Sequence, residues 1–138
     1  SMFRSTGLTS LDLSHLNTSN VTTMQEMFYS ATALTSLDLS NLNATSVTTM
    51  RSMFYNTPSL ASIDFTNFST LNLSSMHSIF RGCGVTTLDL SSFNTSNVTT
   101  MTEMFYGAGL LTSVDLSSFN KSKQQTYPYD LLIYRQHP

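Results

Sequence analysis

The amino-acid sequence predicts an α/β repeat solenoid, a right-handed coil with a parallel sheet on one side, short helices on the other and about 26 residues per turn. The first observation is a tripeptide of the Leu-Asp-Leu type, which starts at positions 11, 37, 63, 88 and 114, in steps of 26, 26, 25 and 26. The second is a tripeptide of the Met-Phe-Tyr type with the same period. Four full repeats, 11–36, 37–62, 63–87 and 88–113, are therefore expected between two incomplete ones.

The first part of each repeat has the alternation of a β-strand. In the segment 10–14, Leu11 and Leu13 alternate with Ser10, Asp12 and Ser14, so the leucines point to one face and the polar residues to the other. A strand with one buried face is predicted here in every repeat.

The second part of each repeat has helical spacing. Val21, Met24, Met27 and Phe28 fall at i, i+3, i+6 and i+7, which predicts a short helix with one apolar stripe. Residues that favour a helix start lie at 18–20, and residues at the position expected for the helix end are Ser30, Asn56, Gly82 and Gly107.

Neither element is stable alone, because a helix of about eight residues is marginal in water and a single strand has no partner within its repeat. Stacking would pair each strand with its equivalent and merge the apolar stripes into one core. The repeat domain is expected to cover residues 1–120. The segment 121–138 leaves the pattern, and it is expected either to cap the last repeat or to be a disordered or vector-derived tail.

The composition restricts the classes of partner. Charged residues make up 10% of the chain and the formal net charge is -2, with no Lys or Arg run, so we expect no binding to nucleic acid. No apolar segment is long enough to cross a membrane, so this fragment is not expected to insert into one. Cys83 is the one cysteine and has no internal disulfide partner. An exposed terminal strand would permit end-to-end self-association.

Three sequence blocks carry a resemblance to a known family: Leu-Asp-Leu, Asn-Thr-Ser-Asn-Val as at 94–98, and Met-Phe-Tyr-Gly as at 104–107. Together with the Gly82-Cys83 pair, they resemble the BspA-type leucine-rich repeats, also called DUF285 or mycoplasma lipoprotein-type repeats, over residues 2 to about 120. The resemblance implies a leucine-rich-repeat-like coil. It also implies a cell-surface or secreted protein associated with adhesion and virulence. The loop 69–73 of the third repeat departs from this pattern, since Leu71 replaces a polar residue.

Two sets of residues are candidates for ligand binding. The Asp row is predicted on the exposed face of the sheet, where it would bind a cation or a basic ligand unless each carboxylate is satisfied by neighbouring Ser or Thr. The Tyr/Arg column follows the apolar stripe, and it would be either a binding surface or a partly buried rim of the core. The Asp row is Asp12, Asp38, Asp64, Asp89 and Asp115, and the Tyr/Arg column is Arg4, Tyr29, Tyr55, Arg81 and Tyr106.

The sequence predicts a binding module and not an enzyme. The histidines lie at unrelated positions of the repeat, and no nucleophile, metal or phosphate-binding motif occurs, so we expect no catalytic residues, no metal and no cofactor. The expected function is adhesion to an extracellular protein or glycan of a host or of neighbouring cells, at the cell surface or after secretion. The alternative is a passive spacer or antigenic coat without a specific ligand.

Overall fold

The computed structural model describes residues 1–119. Its regular elements are four strands of three residues each, β1 (Ser36–Asp38), β2 (Ser62–Asp64), β3 (Thr87–Asp89) and β4 (Ser113–Asp115). This part of the chain contains no helix. The predicted α/β solenoid with a layer of short helices is therefore wrong. The tail predicted at 121–138 lies outside the described residues.

The segment predicted as a helix is a series of tight turns. Met27 N–H bonds to Met24 O at 3.2 Å and Tyr29 N–H bonds to Glu26 O at 3.2 Å, which are turn bonds spanning three residues and not the four of an α-helix. Glu26 and Ser30 have φ values of 57° and 55°, in the left-handed region that a right-handed helix cannot contain.

The alternate backbone N–H groups of these turns bond to the next repeat. Those of Met24, Glu26, Phe28 and Ser30 donate to the carbonyls of residues 49, 51, 53 and 55 at 2.8 to 3.0 Å.

Turns also give the two sides of the stack the same spacing between repeats. Equivalent rings of the phenylalanine column lie 5.5 to 5.9 Å apart, whereas packed helices need about 8 to 10 Å. A layer of helices would therefore have made the stack curve, with the strands on its inner side.

The strands form two separate parallel pairs and not the continuous sheet that the sequence predicted. β1 pairs with β2, and β3 pairs with β4, each in the register that places equivalent residues side by side. The ladder is interrupted between β2 and β3. Isolated parallel bridges elsewhere keep the same register through this step, for example Ser75 with Thr100.

The interruption coincides with the short third repeat. The segment between the last left-handed turn residue and the middle of the next strand is seven positions long from Asn56 to Ile63. The equivalent segment from Gly82 to Leu88 is only six positions long. Gly84 N–H bonds to Thr57 O at 3.0 Å, and a Cβ at Gly84 would lie only 2.0 Å from Pro58 O. The missing residue therefore draws this backbone against the preceding repeat and leaves β2 and β3 without ladder bonds.

One apolar core runs through all the stacked repeats. The predicted stripe is buried although it is not helical: Met24 is 2% exposed, Met27 6% and Phe28 0%. The central column consists of parallel, stacked rings, with interplanar angles of 3° to 9°. Its members are Phe3, Phe28, Phe54, Phe80 and Phe105. No helix in residues 1–119 could span a lipid bilayer.

Candidate functional site

The Asp row lies at one position of successive repeats, and all five of its side chains are exposed. Asp38 is in register with Asp64, and Asp89 with Asp115. In each member, Oδ1 accepts a hydrogen bond from the backbone N–H two residues later, at 2.9 to 3.0 Å. Hydroxyls donate a second bond to the same oxygen at 2.5 to 2.6 Å from Ser14, Ser40 and Thr66. The sequence left open whether neighbouring Ser and Thr residues donate hydrogen bonds to these carboxylates, and in the structure they do.

These bonds favour the ionised carboxylates. The side-chain hydroxyl and then the backbone N–H of the neighbouring serine hold the pKa of Asp12, Asp38 and Asp89 below its ordinary value. Asp12, Asp38 and Asp89 are therefore exposed negative charges at neutral pH.

The β2–β3 interruption opens a hollow beside the Asp row. Its volume is about 290 Å³, and Asp64 and Asp89 lie on its two sides, with Phe65 and Asn67 also in its wall. Asn67 has a φ of 62°. Among residues 1–119, no three His, Cys, Asp or Glu side chains are grouped so that they could hold a metal ion.

The Tyr/Arg column is continuous in the structure. Tyr29 and Tyr55 stack at 4.7 Å between ring centroids with an interplanar angle of 7°. The guanidinium carbon of Arg4 lies 4.1 Å from the Tyr29 centroid, and that of Arg81 lies 5.4 Å from Tyr55 and 4.5 Å from Tyr106. The column is partly exposed, and Tyr106 is 39% exposed. The last three members, Tyr55, Arg81 and Tyr106, form one stack, and whether they bind a ligand stays a prediction.

The sequence analysis missed two ion pairs that fix the column. Arg4 Nη1 donates to Glu26 Oε2, and Arg81 Nη1 donates to Glu103 Oε2. Partial burial alone would raise the pKa of the Glu103 carboxyl group. The hydrogen bond and the positive charge of Arg81 outweigh this effect and lower the pKa below its ordinary value. The signal was available, because each of these arginines is followed by a glutamate 22 residues later, at 4 and 26 and at 81 and 103.

The residues predicted as helix ends lie next to the column. Ser30, Asn56, Gly82 and Gly107 all have left-handed φ values, between 55° and 72°, but each belongs to a turn and not to a helix end. Ser30 and Asn56 border the column in the first and second repeats, and Asn56 Nδ2 donates to Ser30 Oγ at 3.2 Å. The glycines leave that border open in the third and fourth repeats.

The chain was compared with known proteins. A family model described as "Mycoplasma protein of unknown function, DUF285" matches residues 1–83 and 60–129. No curated protein and no solved structure matches the chain. Because the matched segments together cover well over half of its length, this protein belongs to the DUF285 family.

Proposed function

We propose that this chain is a binding module, presented at a cell surface or secreted, that adheres to extracellular proteins or glycans. The observation that carries the proposal is the continuous and partly exposed Tyr/Arg column, in which stacking and ion pairs hold every side chain in place. Tyr and Arg contribute large contact areas and several hydrogen bonds, and they are enriched at the energetic centres of protein interfaces. Side chains that are already ordered lose little conformational entropy when a partner binds.

The repeat geometry supports many weak contacts with one partner. Because equivalent residues lie in register, a ligand that binds one repeat finds the same groups on the next. Linked weak contacts of this kind raise the overall affinity through effective concentration. The Asp row would add a line of negative charge that favours a basic segment on the partner.

The family resemblance and the composition support the proposed surface location. BspA-type proteins, which the repeats resemble, are surface-exposed or secreted, and this chain presents Ser, Thr and Asn in place of most charged residues. A repeat module of this kind suits recognition better than catalysis.

The second candidate is a passive spacer or antigenic coat. The observation that favours it is the local hydrogen bonding of all five carboxylates of the Asp row, since these groups need no partner. The two candidates differ in whether any ligand binds saturably.

The test is a binding screen of the immobilised chain against matrix proteins, mucins and glycans, with and without calcium. We expect saturable binding to at least one of them, and a loss of affinity of about tenfold in Tyr55→Ala, because truncating an interface anchor costs more than 1 kcal/mol. The control is Gln25→Ala, at an exposed residue outside the column, which should bind like the wild type. Absence of saturable binding across the panel would support the spacer.

A further inference from the structure

The Tyr/Arg column changes along its length. In the first and second repeats the left-handed position beside it carries a side chain, Ser30 or Asn56, whereas in the third and fourth it is Gly82 or Gly107. Where these two side chains are missing, the surface has an open depression of about 350 Å³. The depression is lined by Tyr55, Asn56, Arg81, Gly82, Tyr106 and Gly107.

Arg81 is held ready to bind an anionic group. Its guanidinium lies between the rings of Tyr55 and Tyr106, and one nitrogen, Nη1, donates to Glu103. A guanidinium carries five N–H donors in a rigid plane, so donors remain on its other two nitrogens. A carboxylate can accept two of them at once. Because the neighbouring rings already fix the plane, little side-chain freedom is lost on binding.

The remaining lining residues favour a sugar over a peptide. The lining contains no Leu, Ile, Val or Met side chain that could pack against the apolar side chains of a peptide. Tyr106 is 39% exposed and can contact the slightly positive C–H groups of a sugar ring, whereas both faces of the Tyr55 ring are covered by Tyr29 and Arg81. The Asn56 amide has both a donor and an acceptor for sugar hydroxyls. A volume of about 350 Å³ is at the lower end of the range for small-molecule sites and suits one ring with open access to solvent.

We infer that this depression binds a carboxylate-bearing sugar unit of an acidic saccharide. In this arrangement Arg81 donates to the carboxylate, Tyr106 contacts the ring and Asn56 bonds to hydroxyls. The inference rests on the proposed binding function, and it names the ligand class and the three repeats that recognise it.

The test titrates the full chain with glucuronic acid and follows the tyrosine signals by NMR. Glucose serves as the uncharged reference, and a short peptide of Asp and Glu serves as the alternative carboxylate source. We expect saturable binding of glucuronic acid. Glucose should bind more weakly by about tenfold or more, since it lacks the carboxylate and a hydrogen-bonded charge pair contributes at least that much. The acidic peptide should also bind more weakly, because it has the carboxylate but no ring hydroxyls for Asn56 to bond.

Three variants locate the site. Arg81→Gln removes the guanidinium. Gly82→Ser fills the depression with the side chain that the chain already has at the left-handed residue Ser30. A Cβ added at position 82 would lie 3.5 Å from its nearest neighbour atom. Each should weaken glucuronic acid binding about tenfold. The matched control is Arg51→Gln, which removes the same charge from an exposed arginine outside the column. Its affinity should equal that of the wild type.

The inference is overturned by equal binding of glucose, by stronger binding of the acidic peptide, by no binding of glucuronic acid, or by wild-type affinity in a correctly folded Gly82→Ser variant. Its failure differs from failure of the proposed function. If the sugars do not bind but matrix proteins still bind saturably, the ligand class is wrong and the binding function stands.

Discussion

At the scale of single residues, hydrogen bonds between neighbours in the sequence decide much of the surface. The five carboxylates of the Asp row each accept the N–H two residues later, and Asn17, Asn43 and Asn94 do the same within their loops. Asp and Asn commonly form such local turns. An aspartate at the same position of each repeat therefore both fixes a local backbone turn and places a carboxylate on the surface.

The Asp row should make stability depend on pH at acidic values. The pKa values of Asp12, Asp38 and Asp89 are lower in the folded chain than the ordinary 3.8. Their stabilisation is therefore fully present above that value and is lost as the pH falls through the lowered folded values. We expect the free energy of unfolding to decrease below about pH 4.

The matched comparison is the triple Asp→Asn variant at these positions, because asparagine keeps the acceptor and removes the charge. Urea unfolding should show the wild type more stable at about pH 6, with the difference vanishing near about pH 2. A difference that stays the same over this range would contradict the assignment.

At the scale of elements, turns and not helices connect the strands. Left-handed residues recur in each repeat at Glu26, Ser52, Ser78 and Glu103, with φ values of 55° to 57°. They let the turn segments present alternate N–H groups to the next repeat, as a strand does. Because both sides of the repeat then have the same spacing, short strands remain within hydrogen-bonding distance.

Gly84 tests how the short third repeat is accommodated. A Cβ at this position would meet Pro58 O at 2.0 Å and its carbonyl carbon at 2.7 Å, and both are backbone atoms that cannot rotate away. Gly84→Ala should lower the free energy of unfolding by about 2 kcal/mol or more through steric overlap. Gly109→Ala is the control, because nothing lies within 4 Å of its added Cβ. Equal stability of the two variants in chemical denaturation would refute the close approach.

At the scale of the whole molecule, stability is shared between neighbouring repeats. Phe54 stacks on Phe28 at 5.6 Å and on Phe80 at 5.5 Å, and its edge meets Phe65. Stacked repeats gain most of their stability from such nearest-neighbour contacts. A central defect should therefore divide the stack, whereas a terminal defect should affect one end.

Phe54→Ala should cost about 3 to 5 kcal/mol, as expected for a fully buried aromatic ring. Phe3→Ala should cost less, because Phe3 is only partly buried and stacks on Phe28 alone among the described rings. Hydrogen exchange should accelerate in repeats on both sides of position 54 in the first variant, but only near the N-terminal end in the second. The same exchange pattern in both variants would argue against nearest-neighbour coupling.

The sequence by itself determined the repeat, its length, the buried face of each segment and the two rows of candidate binding residues. These follow from local periodicity, which requires only that identical units meet in register. It did not determine the conformation of the turn segments, because spacings of three and four residues suit both a helix and a series of turns. The observed left-handed φ values at Glu26 and Ser52 were invisible in a pattern of apolar residues.

Only the tertiary structure decided between these conformations, and it did so through the distance between repeats. Turns keep the two sides of each repeat at the same spacing, whereas helices on one side would need a wider spacing there and a curved stack. The same contacts between repeats placed Arg81 between two tyrosines and beside two glycines. The repeat predicted the order of this column, whereas the depression beside Arg81 is formed by side chains of three different repeats and is seen only in the structure.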